Sequence, residues 1–267
     1  MKPYKHIFGF TREPFEQDIR AEDAFPLPGL SGFLDRFQYA VECRAISVIT
    51  GDVGAGKSTS LKIAAAKLHP SGYQTVLAIA NAGTYLELLR QIATSMGLES
   101  QSHSVTAIST RIRSTIQEIA SRKQVPVLII DEASLIRTEA FAQLHTLLQF
   151  DFDSKPLCPL ILAGQNNLID KLMYYASRPL ASRIVGRTHL QGLSLKDMQA
   201  YLVHHLKLAG IDTPLFPEEA IVAIHQSSGG ILRRANQLAK GALIAAAQAN
   251  TTVLSPDHVR LAATEII

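Results

Sequence analysis

Up to about residue 190 the chain alternates two textures. Unbroken apolar, β-branched runs recur at residues 45–50 (AISVIT), 75–81 (TVLAIAN), 125–131 (VPVLIID) and 159–164 (PLILAG), with a weaker fifth at 188–190 (THL). Between them, residues 85–96 and 107–120 carry apolar positions three and four apart, the spacing of an amphipathic helix. Strands that are apolar on both faces and separated by helices imply a parallel sheet covered on both sides, an α/β fold.

After Gly192-Leu193-Ser194 the pattern is helical only. Ser194 is a good N-cap for a helix that ends at Gly210. Pro217-Glu218-Glu219 opens a second, which runs to the Gly229-Gly230 break. Residues 233–247 read as a third, and Ser255-Pro256-Asp257 caps a short last one. The expected organisation is an N-terminal segment plus α/β domain over residues 1–192, then a small all-α domain over 193–267.

Composition agrees with two packed domains: of 267 residues, 47% are apolar and 18% charged, which excludes a disordered chain. No apolar run approaches the roughly 20 residues that span a bilayer. The opening Met1-Lys2-Pro3-Tyr4-Lys5-His6 is not a signal-peptide core, so the reading is cytoplasmic with no membrane partner. Cys43 and Cys158, too few for a metal cluster, read as buried reduced thiols. A net charge of +3 permits nucleic-acid binding without requiring it, and the absence of Trp gives no stacking platform.

The candidate chemistry begins where the first strand ends. Gly51-Asp52-Val53-Gly54-Ala55-Gly56-Lys57-Ser58 matches G-x-x-x-x-G-K-[ST], with a strand before it and helix-forming Thr59-Ser60-Leu61 after it. The glycines let backbone N–H groups turn inward as an anion nest, and the helix N-terminus adds partial positive charge. Lys57 can reach the β- and γ-phosphates, Ser58 can offer its hydroxyl to Mg²⁺, and Thr59 completes the cradle. Asp131 ends a later apolar strand, where open parallel sheets bind ligands, and is placed to hold Mg²⁺. Glu132, next to it, is a natural base for polarising water. ATP and Mg²⁺ are therefore the expected cofactors.

These motifs and the helical tail resemble the AAA+ ATPases, P-loop NTPases with a parallel five-stranded sheet, flanking helices and a helical lid. The resemblance implies further site residues. Asn81, at the end of the strand preceding the Asp-Glu strand, would restrain Glu132. Gln165, or Asn166 beside it, would be the polar sensor after the fourth strand. Arg183, with Arg178 and Arg187 as competitors, would be the finger that acts on a neighbouring subunit's ATP. Arg233, or Arg234, after the Gly229-Gly230 break would sense the γ-phosphate from the lid, although Leu232 stands where the family usually has Pro.

Phe8-Gly9-Phe10-Thr11-Arg12-Glu13-Pro14-Phe15 resembles the opening of the ExeA-type (general secretion protein A) ATPases. By that resemblance the segment would pack beside the adenine pocket, with Phe33 and Phe37 as contacts. Those secretion proteins continue into a membrane span and a peptidoglycan-binding part, whereas this sequence stops at Ile267. A free-standing ExeA-like ATPase resembles the transposition helpers of the TnsC, TniB, MuB and IstB class. This implies self-association into a ring or filament on double-stranded DNA, and recruitment of a transposase. Arg111, Arg113, Arg122 and Lys123, then Lys155 and Lys171, are the candidate phosphate contacts. The alternative is an assembly ATPase acting on protein partners in secretion or envelope processes.

Overall fold

The computed structural model describes residues 4–98 and 103–266, so the Met1–Pro3 lead-in to the start read above lies outside it. The described residues form two units. One holds Gly29–Gly51 and Lys57–Leu190; the other draws on Met1–Pro28, Asp52–Gly56 and Gln191–Ile267.

The first unit is built on five parallel strands among the described residues: β1 (Ile46–Gly51), β2 (Tyr73–Ile79), β3 (Val125–Asp131), β4 (Leu160–Gly164) and β5 (Ile184–Leu190), in the order β2-β3-β4-β1-β5. Helices α2 (Leu30–Cys43), α3 (Lys57–Ala66), α4 (Tyr85–Ser95), α5 (Val105–Ser121), α6 (Thr138–Leu147), α7 (Asn167–Met173) and α8 (Arg178–Ala181) complete it. Residues of β1 and β4 are fully buried, as unbroken apolar runs require. The core gathers Val48, Leu128, Ile130 and Leu162 from the sheet with Leu89 and Ile92 of α4, Ile112 of α5 and Phe141 of α6. Thr84 caps α4 in a reciprocal capping box with Glu87, and Ser104 caps α5.

The edge strands differ from expectation in an instructive way. β5 is seven residues long rather than three, because burial alternates along it and Val185, Arg187 and His189 face outward. A half-exposed strand has no continuous apolar run to announce it. The β1–β5 and β1–β4 pairings place the end of β1 between two strands, while the crossover from β1 to β2 passes over β4 and β3. A crevice at such a switch point is where open α/β sheets take ligands.

The second unit contains α1 (Tyr4–Phe8), α9 (Leu195–Leu208), α10 (Glu218–Ser228), α11 (Leu232–Gln248) and α12 (Pro256–Thr264). Ser194 accepts the Asp197 N–H as the N-cap of α9. Gly229 ends α10 in the left-handed region. Gly230 follows with φ +77, and a Cβ there would lie 2.5 Å from the Leu193 carbonyl oxygen. Leu193 N–H in turn donates to the Gly230 carbonyl at 2.9 Å, so the break before α11 is pinned to the chain that enters α9.

The motif FGFTREPF serves as the fastening of residues 4–28 to these helices. Phe8, Phe10 and Phe15 are buried, and Phe15 stacks on His205 of α9 at 5.3 Å. Thr11 donates from its N–H and its hydroxyl to the Ala209 carbonyl. The buried Glu13 carboxylate accepts from Tyr4 Oη and pairs with Lys5 at 3.1 Å and Lys240 at 2.6 Å.

Two expectations need correction. Cys158 is buried, and burial pushes its thiol up to about 12, but Cys43 is exposed at the last position of α2. Phe33 and Phe37 are 0% and 2% exposed, with ring centroids 5.9 Å apart. Both rings are buried, which leaves no open face to offer a base.

Candidate nucleotide and hydrolysis site

In the sheet unit the glycine loop leaves β1 at Gly51 and re-enters as α3 at Lys57. Lys57 is 6% exposed, and its ammonium donates to the Gly51 carbonyl at 2.8 Å. A lysine that buried folds its charge back over the loop rather than into solvent. Ser58 Oγ donates to Asp131 Oδ2 at 2.7 Å, across 73 residues of sequence. The loop hydroxyl and the strand-end carboxylate thus converge on one point. Two hard oxygen donors, one of them anionic, fit Mg²⁺, which completes its octahedron with phosphate oxygens and water rather than an all-protein cage.

Asp131 Oδ1 accepts the N–H of Glu132 at 2.8 Å. Glu132 has φ 53 and ψ 30, the left-handed region that a residue with a Cβ occupies only under constraint. A short 3₁₀ turn, Ala133–Leu135, follows at once. Lys171 of α7 donates to two carbonyls of that turn and its exit, Ser134 in the middle at 2.6 Å and Ile136 just after it at 2.9 Å. No sequence pattern announced this role: Lys171 is simply a lysine on a short helix, and its partners lie 37 and 35 residues away.

The other residues named from the sequence fall as follows. Asn81 lies two residues beyond β2, whose Ile79 is level with Asp131, and its Oδ1 accepts the Gly83 N–H at 3.0 Å in a local turn. Gln165 is the first residue after β4, and its carbonyl accepts the Leu168 N–H at 3.0 Å, which ties it to the start of α7. Thr59 sits in the first turn of α3. Arg183, just before β5, forms an ion pair with Asp153 and is not held out to solvent. His145 is lowered by burial first and then by Arg183. Arg178 lies over the Tyr175 ring at 5.2 Å, and Arg178 and Arg187 both line a mainly apolar cavity of about 560 Å³ beside α7 and α8. That cavity contains none of the loop or Asp-Glu residues.

In the helical unit, Asp52–Gly56 lie with the tail. The Arg233 N–H donates to the Gly54 carbonyl at 3.2 Å. Gly54 has φ +85, and a Cβ on it would stand 2.6 Å from the Arg233 Cβ. The glycine is therefore needed twice, for its conformation and for the approach of α11. Arg233 is brought against the loop at the second position of α11 with its side chain exposed; Arg234 is also exposed.

Of the basic residues proposed to meet DNA, Arg113 and Lys171 are engaged by backbone carbonyls, while Arg122 and Lys155 stay exposed in surface ion pairs. Arg113 donates to the Thr146 and Leu147 carbonyls at 2.8 and 3.2 Å and lies over the Phe150 ring at 4.6 Å. Arg122 pairs with Glu118, Lys155 with Asp151, and Lys171 with the turn carbonyls. Arg111 and Lys123 are exposed.

A parallel sheet of this strand order, with a glycine loop after β1 and Asp-Glu at the end of β3, is the P-loop fold of the AAA+ ATPases. Residues 42–172 match the family model described as AAA domain. General secretion pathway protein A of Aeromonas hydrophila is 28% identical over 265 residues, covering 98% of this chain and 48% of that protein. The chain thus spans about half the length of the curated relative it matches. Among solved structures, Cdc6p from Pyrobaculum aerophilum superposes with a TM-score of 0.74 at 14% identity, over 95% of this chain and 70% of that one. The ORC1 protein of Aeropyrum pernix in complex with DNA superposes with a TM-score of 0.70 at 15% identity, over 94% and 68%. At such identities these two likenesses speak to the fold.

Proposed function

We propose that this chain binds ATP with Mg²⁺ at the loop following β1, hydrolyses it with Glu132 as general base, and uses the cycle to drive assembly of a protein partner in secretion or envelope processes. The observation that carries the chemistry is the 2.7 Å bond between Ser58 and Asp131, which brings the two motifs to one point beside Glu132. Backbone N–H groups of Gly51, Asp52, Val53, Gly54, Ala55 and Gly56 cradle the phosphates, with Thr59 behind them. Lys57 leaves the Gly51 carbonyl for the β- and γ-phosphates. Ser58 and Asp131 would hold Mg²⁺, which when bound neutralises developing phosphate charge.

Glu132 takes the proton of the attacking water, with Asn81 and Gln165 orienting base and water. Arg233, bonded through its backbone to Gly54, reads the γ-phosphate. Arg183 serves a neighbouring copy's nucleotide, for which it must first leave Asp153.

The protein-partner reading rests on the general secretion pathway relative, whose likeness includes nearly all of this chain. A second reading, a DNA-bound ring or filament that recruits a transposase, draws on the fold neighbour solved with DNA. It has to work without Arg113 and Lys171, whose donors are engaged by backbone carbonyls. Retardation of plasmid DNA at low salt separates the two. The main reading expects none with Mg-ATP; ATP-dependent retardation that Lys57→Ala abolishes overturns it in favour of the second.

A further inference from the structure

Glu132 pays for its position with a strained backbone, and something must hold it there. A non-glycine residue in the left-handed region costs about 1–3 kcal/mol and persists only where its surroundings over-determine it. On its N-terminal side the constraint is the Asp131 carboxylate, which accepts the Glu132 N–H. On its C-terminal side it is a clamp on Ser134. Gly164, at the end of β4, faces the Ser134 backbone so closely that a Cβ would lie 2.7 Å from the Ser134 nitrogen. From α7, the Lys171 ammonium grips the carbonyls of Ser134 and Ile136 together. Within the turn itself the Leu135 N–H returns to the Glu132 carbonyl at 2.9 Å, so any shift of the turn reaches the glutamate directly.

We propose that Lys171 is a positioning residue for hydrolysis: by holding the centre and exit of the Ala133–Leu135 turn it fixes the Glu132 carboxylate where it can activate water, and it takes no part in binding nucleotide. The inference rests on Glu132 being the base. It gives α7 a definite task. The helix begins immediately after Gln165 and Asn166, whose carbonyls accept the Leu168 and Ile169 N–H groups. One rigid piece therefore joins the polar residues after β4 to the turn after β3, and Lys171 is its point of attachment. A lysine suits the place because its three donors can serve two carbonyls at once, and its charge strengthens both bonds.

The test compares wild type, Lys171→Met, Lys171→Arg and Glu132→Gln for kcat, KM, equilibrium binding of a fluorescent ATP analogue with magnesium, and thermal midpoint. Methionine keeps the stem and removes the donors; arginine keeps the donors. Misplacing a catalytic group by about an ångström costs on the order of 10²-fold in rate. Lys171→Met is expected to lower kcat by about that factor with KM and analogue affinity within twofold of wild type, and Lys171→Arg to recover much of the loss.

A Lys171→Met enzyme with wild-type kcat beside an inactive Glu132→Gln overturns the proposal and leaves the base in place. Equal losses in affinity and turnover also overturn it, since they mark a general structural role. An active Glu132→Gln instead removes the reading beneath it. If Lys171→Met does not fold, Gly164→Ala presses the same turn from the opposite side. It is expected to show the same kcat-selective loss, and wild-type turnover there overturns the proposal equally.

Discussion

Single side chains divide here by how locally their work is specified. The convergence of Ser58 and Asp131 was legible because the two motifs fix residue type and spacing together, and the fold brings them within 2.7 Å. Lys171 and the Arg183–Asp153 pair were not legible, because their partners lie 30 to 37 residues away with no repeating pattern to connect them. Glu132→Gln should retain ATP but lower kcat by about 10²–10⁴-fold, the range for a general base, measured by phosphate release alongside analogue binding. Gly54→Ala should fail differently. Its φ of +85 and the 2.6 Å approach of Arg233 leave no room for a methyl group. Backbone strain of about 1–3 kcal/mol is expected, with lost nucleotide affinity rather than a selective loss of kcat. Wild-type affinity in Gly54→Ala would mean that the loop and α11 need no such contact.

Among elements, buried strands and capped helices were readable to within a few residues, since the same apolar runs and caps that form them are visible in the chain. β5 was shortened to three residues because its outward positions, Val185, Arg187 and His189, break the apolar run. The FGFTREPF segment was legible as a motif but not as a fastening, because Glu13 meets Lys240 only through tertiary folding. Lys240→Met leaves that buried carboxylate with one cation fewer and should cost about 3 kcal/mol, read as a lower unfolding midpoint.

His205 sets a pH dependence in the same unit. It lies among Phe15, Tyr201 and His204, and burial, then His204, pushes it down to about 4. The unfolded chain, with an ordinary histidine near 6.5, therefore binds the proton first. Stability is complete above about 6.5 and falls as pH drops toward 4, by up to about 3 kcal/mol. His205→Phe should flatten that slope in a pH series of melting curves; an unchanged slope would assign the effect elsewhere.

For the whole molecule, the sheet order and the AAA domain match over residues 42–172 give the P-loop ATPase fold. On the proposed reading Arg183 serves another copy's nucleotide and would first have to leave its pairing with Asp153 in its own chain. If sites are shared, Arg183→Ala and Lys57→Ala subunits, each inactive alone, should regain activity on mixing; no recovery would make Arg183 a structural residue. Beneath all of this lies the phosphate site itself. Binding and release of γ-labelled ATP by the purified chain, with magnesium and with Lys57→Ala as control, tests it most directly. Saturable uptake followed by phosphate release, both lost in Lys57→Ala, is the expected result. No uptake by the wild type, or equal uptake by the variant, would contradict the account.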